Sequence, residues 1–438
     1  MRAVLLACCG VAFVAATGAA NAGGFAIREQ SAYGQGSSFA GIAAGGDLSS
    51  MFWNPAVLTQ FPGTQSSMTF TGILPYAEHS VGAGSTLSPP LGGAGNSAAL
   101  AFVPGSYMSM QLNPDLWLGL SFNAPFGLSV QFPDAWAGRN YAGATTLNTY
   151  NAVPTIAYRV NNWLSIGVGV QIEYARADLA TGLATGLGNE TDIYGNGWGF
   201  GFTAGLTVTP TPTTTIGLGY RSQINQKISG TMQLPPGPPF TPAFGSTPGD
   251  VSTTLNLPDV VTLSLRQRLD PRWTLLGTVE WSNWSRIGTS TIEQSSGAPA
   301  TIIGLPVTLP FQYQDGWFFA LGGEYQWTEH ATLRAGVGYE ISPITDDVRT
   351  PRLPDNDRFW VSGGMTYEVM KGMSLHAAYS HIFVRDTSIA VGPGNPWYNP
   401  LVPIVYNGNT EPHIDIISVG LSIRFDAPGS PLVSPFSK

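Results

Sequence analysis

The chain has 438 residues, only 11% of them charged (19 Lys and Arg, 27 Asp and Glu), with a formal net charge of −8 and a mean hydropathy of +0.08. A soluble domain carries about 25% charge, and a bundle of membrane helices needs uncharged apolar runs of about 20 residues; neither fits. With 11% aromatics and no basic stripe, the composition also argues against a disordered chain and against nucleic acid as a partner.

In chain order, residues 1–22 read as a secretory signal: Arg2, a short apolar run, then the small-x-small pattern Ala20-Asn21-Ala22. Both cysteines, Cys8 and Cys9, lie within it, so an exported mature chain has no disulfide to stabilise it. Residues 23–62 are rich in Gly, Ala and Ser and lack sustained alternation. Their apolar residues, Phe25, Ile27, Phe39, Phe52 and Trp53 among them, favour a plug folded into a lumen over a flexible tail.

From residue 63 to 425 period-two alternation recurs. Leu164, Ile166, Val168, Val170, Ile172 and Tyr174 share one parity, with Ser165, Gly167, Gly169, Gln171 and Glu173 on the other. Successive strand side chains point to opposite faces, so each such run has one greasy and one small or polar face. Fourteen runs qualify, near 65–75, 98–110, 116–124, 150–160, 163–176, 197–208, 214–228, 259–268, 273–285, 316–326, 330–341, 358–369, 373–385 and 414–425. Tight turn chemistry, such as Asn113-Pro114-Asp115, Asn161-Asn162 and Asp270-Pro271-Arg272, follows the even strands, and long loops (125–149, 177–196, 229–258, 386–413) follow odd ones.

That sorting predicts an all-β fold: a 14-stranded antiparallel transmembrane β-barrel with an N-terminal plug, in the outer membrane of a Gram-negative bacterium, its N-terminus periplasmic. An aromatic girdle is expected at Trp117, Tyr150, Trp163, Trp198, Trp273, Trp284, Trp317, Trp327 and Tyr379, which sit near strand ends. Residues 426–438, with three prolines, read as a disordered C-terminal tail.

Several segments resemble the FadL family of outer-membrane channels for long-chain fatty acids and other hydrophobic compounds. Gly24-Phe25-Ala26-Ile27-Arg28-Glu29-Gln30-Ser31-Ala32 resembles the family's plug opening, and Phe52-Trp53-Asn54-Pro55-Ala56 carries its Asn-Pro-Ala motif. Ala124-Pro125-Phe126-Gly127-Leu128 is similar to its third-strand segment, Trp136-Ala137-Gly138-Arg139 to the loop after it, and Leu353-Pro354-Asp355-Asn356-Asp357-Arg358-Phe359-Trp360 to a late motif. The resemblance implies ligand capture at outer loops, transfer to a buried apolar site, release by plug movement and exit through a lateral opening at strand three. It departs at the C-terminus, where thirteen residues follow Phe425.

Pro125 cannot donate to a ladder and Gly127 weakens one; the pair either opens the wall at Pro125-Phe126-Gly127 or ends the strand at the outer rim. The ligand-binding candidates are Phe25, Ile27, Phe126 and Trp136, with Arg139 or Arg221 as the cation a fatty carboxylate requires; an aromatic hydrocarbon requires none. Parity turns Glu173, Arg221, Arg266, Glu280, Glu324, Arg334 and His376 inward, with Glu324 and Arg334 paired across a turn. No nucleophile elbow or phosphate loop is present, and His79, His330, His376, His381 and His413 lack metal-ligand spacing, so neither an enzyme nor a metal or other cofactor is expected. The expected partners are a hydrophobic small molecule, such as a fatty acid or aromatic hydrocarbon, with outer-membrane lipid and lipopolysaccharide around a monomer. A general diffusion porin and, behind it, an outer-membrane barrel hydrolase are the alternatives.

Overall fold

The computed structural model describes residues 23–86, 91–182, 190–233, 249–296, 301–302, 305–400 and 403–426. The expected leader and the tail beyond Asp426 lie outside them. Fourteen antiparallel wall strands close on themselves, the first (Thr64–Val81) pairing along its length with the last (Tyr406–Arg424), from Gln65 opposite Arg424 to Val81 opposite Gly408. Closure of the first strand on the last removes the two free edges an open sheet would have, which is what lets strands cross a bilayer. No helix among the described residues is long and apolar enough to cross a membrane.

The alternation sets the two faces. In the fifth wall strand (Leu164–Gly182), Ile166, Val168 and Val170 are exposed while Ser165, Gln171 and Glu173 are buried; in the last, Ile417 and Val419 face out and Ser418 in. The short turns close with the chemistry expected of them. Asn161 Oδ1 accepts from the backbone N–H groups of Trp163 and Leu164, and Asp270 Oδ1 does the same for Arg272 and Trp273.

Two expectations need correction. The segments read as long loops contain much strand. The fifth strand runs to Gly182 and the sixth begins at Glu190, while Ile224–Gln233 pairs with Gly249–Leu257. Beyond the bilayer the outward face need not be greasy, so stretches such as Asp250-Val251-Ser252-Thr253-Thr254 keep the ladder without the apolar stripe that marks a membrane strand. The girdle is also smaller. Trp163, Trp198, Trp273, Trp317, Trp327 and Tyr379 are exposed, whereas Trp117 and Trp284 are buried inside. The Trp117 indole N–H donates to the Phe61 carbonyl beneath the plug, and Trp284 lies on a short 3-10 turn, Trp284–Ile287, that interrupts the ninth strand.

Several wall strands break and resume: Leu116–Asn123 with Gly127–Val130, Thr214–Arg221 with Ile224–Gln233, Gly249–Leu257 with Val260–Arg268, Trp273–Ser282 with Thr289–Ser296, and Met373–Val384 with Thr387–Val391. Near these breaks outward aromatic donors hold carboxylates: Tyr220 with Asp259 at 2.6 Å, Tyr379 with Asp415 at 2.6 Å, and the Trp281 indole with Asp315 at 3.0 Å. An apolar ring with a wet tip belongs at a membrane interface.

The plug fills the lumen with one helical turn, Ala32–Gln35, and three 3-10 turns, Ile42–Ala44, Leu48–Phe52 and Pro55–Gln60. Asn54 caps the last of these: its Oδ1 accepts from the Ala56 N–H at 3.0 Å, with Pro55 at the first position. The same amide ties plug to wall, Nδ2 donating to the carbonyls of Ala43 at 2.7 Å and Leu206 at 2.9 Å. Inward glycines make this approach possible. A Cβ on Gly205 would sit 2.1 Å from Asn54 Oδ1, and one on Gly219 only 1.8 Å from the Trp53 carbonyl.

Candidate functional site

The site forms where the first plug residues meet the break in the third strand. Below the break that strand pairs with the second (Ala101–Asn113), ending at Ser106 opposite Phe122; above it, only an isolated bridge between Ala98 and Val130 resumes contact. Between those points the second and third strands share no ladder. Pro125 therefore does not end the strand at the rim, because Gly127–Val130 continues it against the fourth strand (Thr145–Arg159).

Backbone groups freed in a wall must find other partners, and here the plug supplies most of them. Gln30 donates from Nε2 to the Ala124 carbonyl at 2.7 Å and accepts the Ala124 N–H on Oε1 at 3.3 Å, so one side-chain amide replaces a strand neighbour. Ile27 N–H donates to the Pro125 carbonyl at 2.8 Å, and Gly127 N–H to the Phe25 carbonyl at 2.9 Å. Thr149 on the fourth strand completes the set: its hydroxyl oxygen accepts from Phe126 N–H at 2.9 Å, and its N–H donates to the Phe126 carbonyl at 3.2 Å.

Phe25 lies between two chambers. Above it is a cavity whose lining is almost wholly apolar, with Leu128, Leu147, Ile228, Leu255, Phe311 and Trp397 among its walls. The Phe25 ring packs edge-on to Trp284 at 4.8 Å and to Phe126 at 6.2 Å. On the other side is a smaller, more polar chamber bordered by Ile27, Arg28, Pro125, Phe126, Arg221, Glu280 and Glu340.

The candidate ligand residues separate accordingly. Phe25, Phe126 and Trp136 join one apolar cluster, whereas Ile27 belongs to the cluster of the plug body. Trp136 stacks on Phe132 at 4.3 Å and is fully buried in the loop fold, away from the cavity lining. Of Asn54, Pro55 and Ala56, Asn54 ties the plug to the wall, and Pro55 and Ala56 begin the 3-10 turn that it caps. Neither arginine chosen from the sequence borders the apolar cavity. Arg221 donates to the Phe52 carbonyl at 3.0 Å and to Gln171 at 2.5 Å with its guanidinium over the Phe52 ring, and Arg139 is buried beside Gly182.

The cation that does line the cavity is Arg352, in the loop before the twelfth strand (Arg358–Met370). It is 7% exposed and donates to neutral oxygens, the hydroxyls of Thr145 and Thr181 and the carbonyls of Tyr141 and Ala180. Its Nε is buried with no hydrogen-bond partner, and no salt bridge among the described residues engages it. Burial pushes the guanidinium down to about 10, so it stays charged at neutral pH. The sequence signal was modest: Arg352 immediately precedes the segment 353–360 already noted for its resemblance.

A second charged group in the lumen is fully paired. Glu324 accepts from Arg266 at 2.6 Å, Arg334 at 2.8 Å and the Tyr33 hydroxyl at 2.5 Å, which realises the expected Glu324–Arg334 pair and adds the plug to it. Among the described residues no group of three His, Cys, Asp or Glu side chains is arranged to hold a metal ion.

A closed fourteen-stranded barrel, a plug seated in its lumen and an apolar cavity beneath extracellular loops define an outer-membrane transport protein. The family model described as "Outer membrane protein transport protein (OMPP1/FadL/TodX)" matches residues 13–425, and the chain belongs to this family. It is 28% identical over 414 residues to the "Long-chain fatty acid transport protein" of Escherichia coli K12, covering 84% of this chain and 90% of that protein. With "Outer membrane protein P1" of Haemophilus influenzae it shares 27% identity, over 85% and 88% of the two chains. Among solved structures, a Pseudomonas aeruginosa FadL homologue superposes with a TM-score of 0.81 at 23% identity, covering 92% of this chain and 99% of that one. The Pseudomonas putida toluene transporter TodX gives 0.64 at 17%, covering 86% and 94%. At those identities the two structures speak to fold alone.

Proposed function

We propose that the protein is a passive channel for hydrophobic compounds that carry a carboxylate, long-chain fatty acids being the class that fits. Arg352 carries this reading. A cation buried beside an apolar cavity, with an unsatisfied N–H and no anionic partner among the described residues, is what a fatty carboxylate needs and what a plain hydrocarbon does not. The named activity of the Escherichia coli relative supports the same substrate class.

In this proposal ligand enters among the extracellular loops and settles in the upper cavity, its chain along Leu128, Leu147 and Ile228 and its head group at Arg352. A chain that extends downward displaces Phe25. That movement breaks the two backbone bonds joining Phe25 and Ile27 to the third strand, so plug release and exposure of the unpaired wall at Pro125-Phe126-Gly127 are one event. The ligand then leaves sideways between the second and third strands into the membrane, and needs no energy source because apolar area leaves water throughout.

The test is Arg352→Leu. Loss of a hydrogen bond to a charged group predicts fatty-acid binding weaker by about tenfold or more, measured by equilibrium dialysis with labelled oleate. Binding of an uncharged hydrocarbon to the same variant is expected to be unchanged, which shows that the cavity is intact. Unchanged oleate binding would exclude Arg352 as the head-group site.

A further inference from the structure

The first two plug residues end in a cluster of buried charges. The Gly23 nitrogen donates to Glu340 Oε1 at 2.9 Å, and Gly24 N–H to Asp355 Oδ2 at 3.1 Å. Arg28 bridges Glu280 at 2.6 Å and Glu340 at 3.4 Å, and Arg358 holds Asp355. All five side chains are less than a tenth exposed. Three carboxylates thus face two guanidiniums, and Glu29 beside them adds an anion whenever it ionises. The next cation along the chamber, Arg221, interacts with Glu280 of the cluster but also with a fourth carboxylate, Glu173, so four carboxylates face three guanidiniums. One carboxylate oxygen, Glu340 Oε2, is buried with no hydrogen-bond partner. An unbalanced buried charge is strongly disfavoured, so the cluster is short of one cation with N–H groups to donate.

The sequence places that cation. Residues 1–22 have the pattern of a signal whose cleavage point is the Ala22–Gly23 bond. Water adding across that amide leaves a carboxylate on Ala22 and an amine on Gly23, which takes up a proton at neutral pH. We propose that the α-ammonium of Gly23, created by removal of the signal, is the missing cation of this cluster and latches the plug to Glu340 inside the barrel. Proteolytic maturation is then the step that locks the channel closed, rather than an export event alone.

Sterics at the two residues differ. A Cβ on Gly23 would lie 2.7 Å from Glu340 Oε1, the position the ammonium must share. Gly24 has φ +68, and its Cβ would lie 3.0 Å from the Trp284 ring. Gly24 is the position that requires glycine, whereas a Cβ on Gly23 would ask only the tip of the Glu340 side chain to shift. An unprocessed chain has a single N–H at Gly23 and no charge there, and it leaves the carboxylates of the cluster in excess of its guanidiniums.

Two preparations of the full mature chain, refolded into detergent and identical except for a free or an acetylated Gly23 amine, test this. Deuterium uptake across residues 24–30, read by mass spectrometry, is expected to be about tenfold faster in the acetylated form, the loss of one charge-assisted contact. Plug-body peptides within 42–60 should exchange alike in both. In Glu340→Gln the free and acetylated forms should no longer differ. Equal exchange in the two wild-type forms, a difference that survives Glu340→Gln, or an intact mass from outer membranes that starts at another residue would each overturn the proposal.

Discussion

The two parts of the plug are held in different ways. Its body, from Ala32 onward, is fixed by packing and short polar contacts: Trp53 and Asn54 lie against inward glycines, Tyr33 donates to the Glu324 triad, and Asp47 accepts from Ser49, Ser67 and Ser422. The arm before it, residues 23–31, makes backbone bonds to a broken strand and charge contacts in a chamber. Packed glycine–backbone surfaces have one good arrangement and resist sliding. Hydrogen bonds and ion pairs exchange more readily for water or ligand, so in the mechanism proposed above the arm is the part that detaches and the body the part that stays.

The largest expected effect removes the arm's partner. Replacing Pro125-Phe126-Gly127 by Val-Thr-Val restores ladder donors and side chains, so the third strand should pair with the second through the present break. Fatty-acid uptake by cells carrying this variant should fall to the level of cells without the protein; normal uptake would remove the break from the pathway. Next is the body. Gly219→Val drives a side chain into the Trp53 carbonyl, an overpacking penalty of about 1–3 kcal/mol, and planar-bilayer recordings should show ion conductance absent from the wild type. If such a variant stays closed while exchange in its arm accelerates, the contrast between body and arm is wrong.

The smallest effect concerns Glu29, whose side chain has a buried, unpartnered Oε2. Burial raises its carboxyl to about 7, with Arg28 acting the other way. The docked arm therefore holds this proton more tightly than the free arm does. Docking is strongest where both states are protonated, weakens as pH rises from the ordinary carboxyl range through about 7, and is constant above that. Ligand dissociation should accelerate across the same window, and Glu29→Gln should flatten the profile; a profile unchanged by the substitution would assign it to another group.

Much of this was legible because lipid writes a strict rule. The outward face must be apolar for as long as the strand is in the bilayer, so Leu164 to Tyr174 or Ile417 to Phe425 announce themselves by parity. Where the rule lapses, so does the signal. The extracellular halves of the strands have no greasy face and read as loops, and Trp117 and Trp284 at strand ends turn inward because plug and cavity offer them partners. Pro125 and Gly127 marked the break, yet only pairing distinguishes a gap in the wall from a strand end. Arg352 was missed for a different reason. Its significance lies in having no carboxylate beside it, a property of three-dimensional neighbours that no spacing encodes, whereas Arg221, chosen by parity, is occupied by the Phe52 carbonyl and Gln171.

Gln30, bonded to Ala124 across 94 positions, and Gly23, bonded to Glu340 across 317, also fix an order of events in assembly. Contacts so distant in sequence form late, because the intervening chain must be positioned first. The arm is synthesised before every wall strand, yet the last of these sites to be built lies near residue 355. Until the eleventh and twelfth strands are in place, the third strand's broken backbone has no plug to satisfy it and the arm has no charged seat. Newly inserted barrels should therefore pass through a stage that is sealed to neither water nor lipid, and the slowest phase of their folding should be docking of their own beginning.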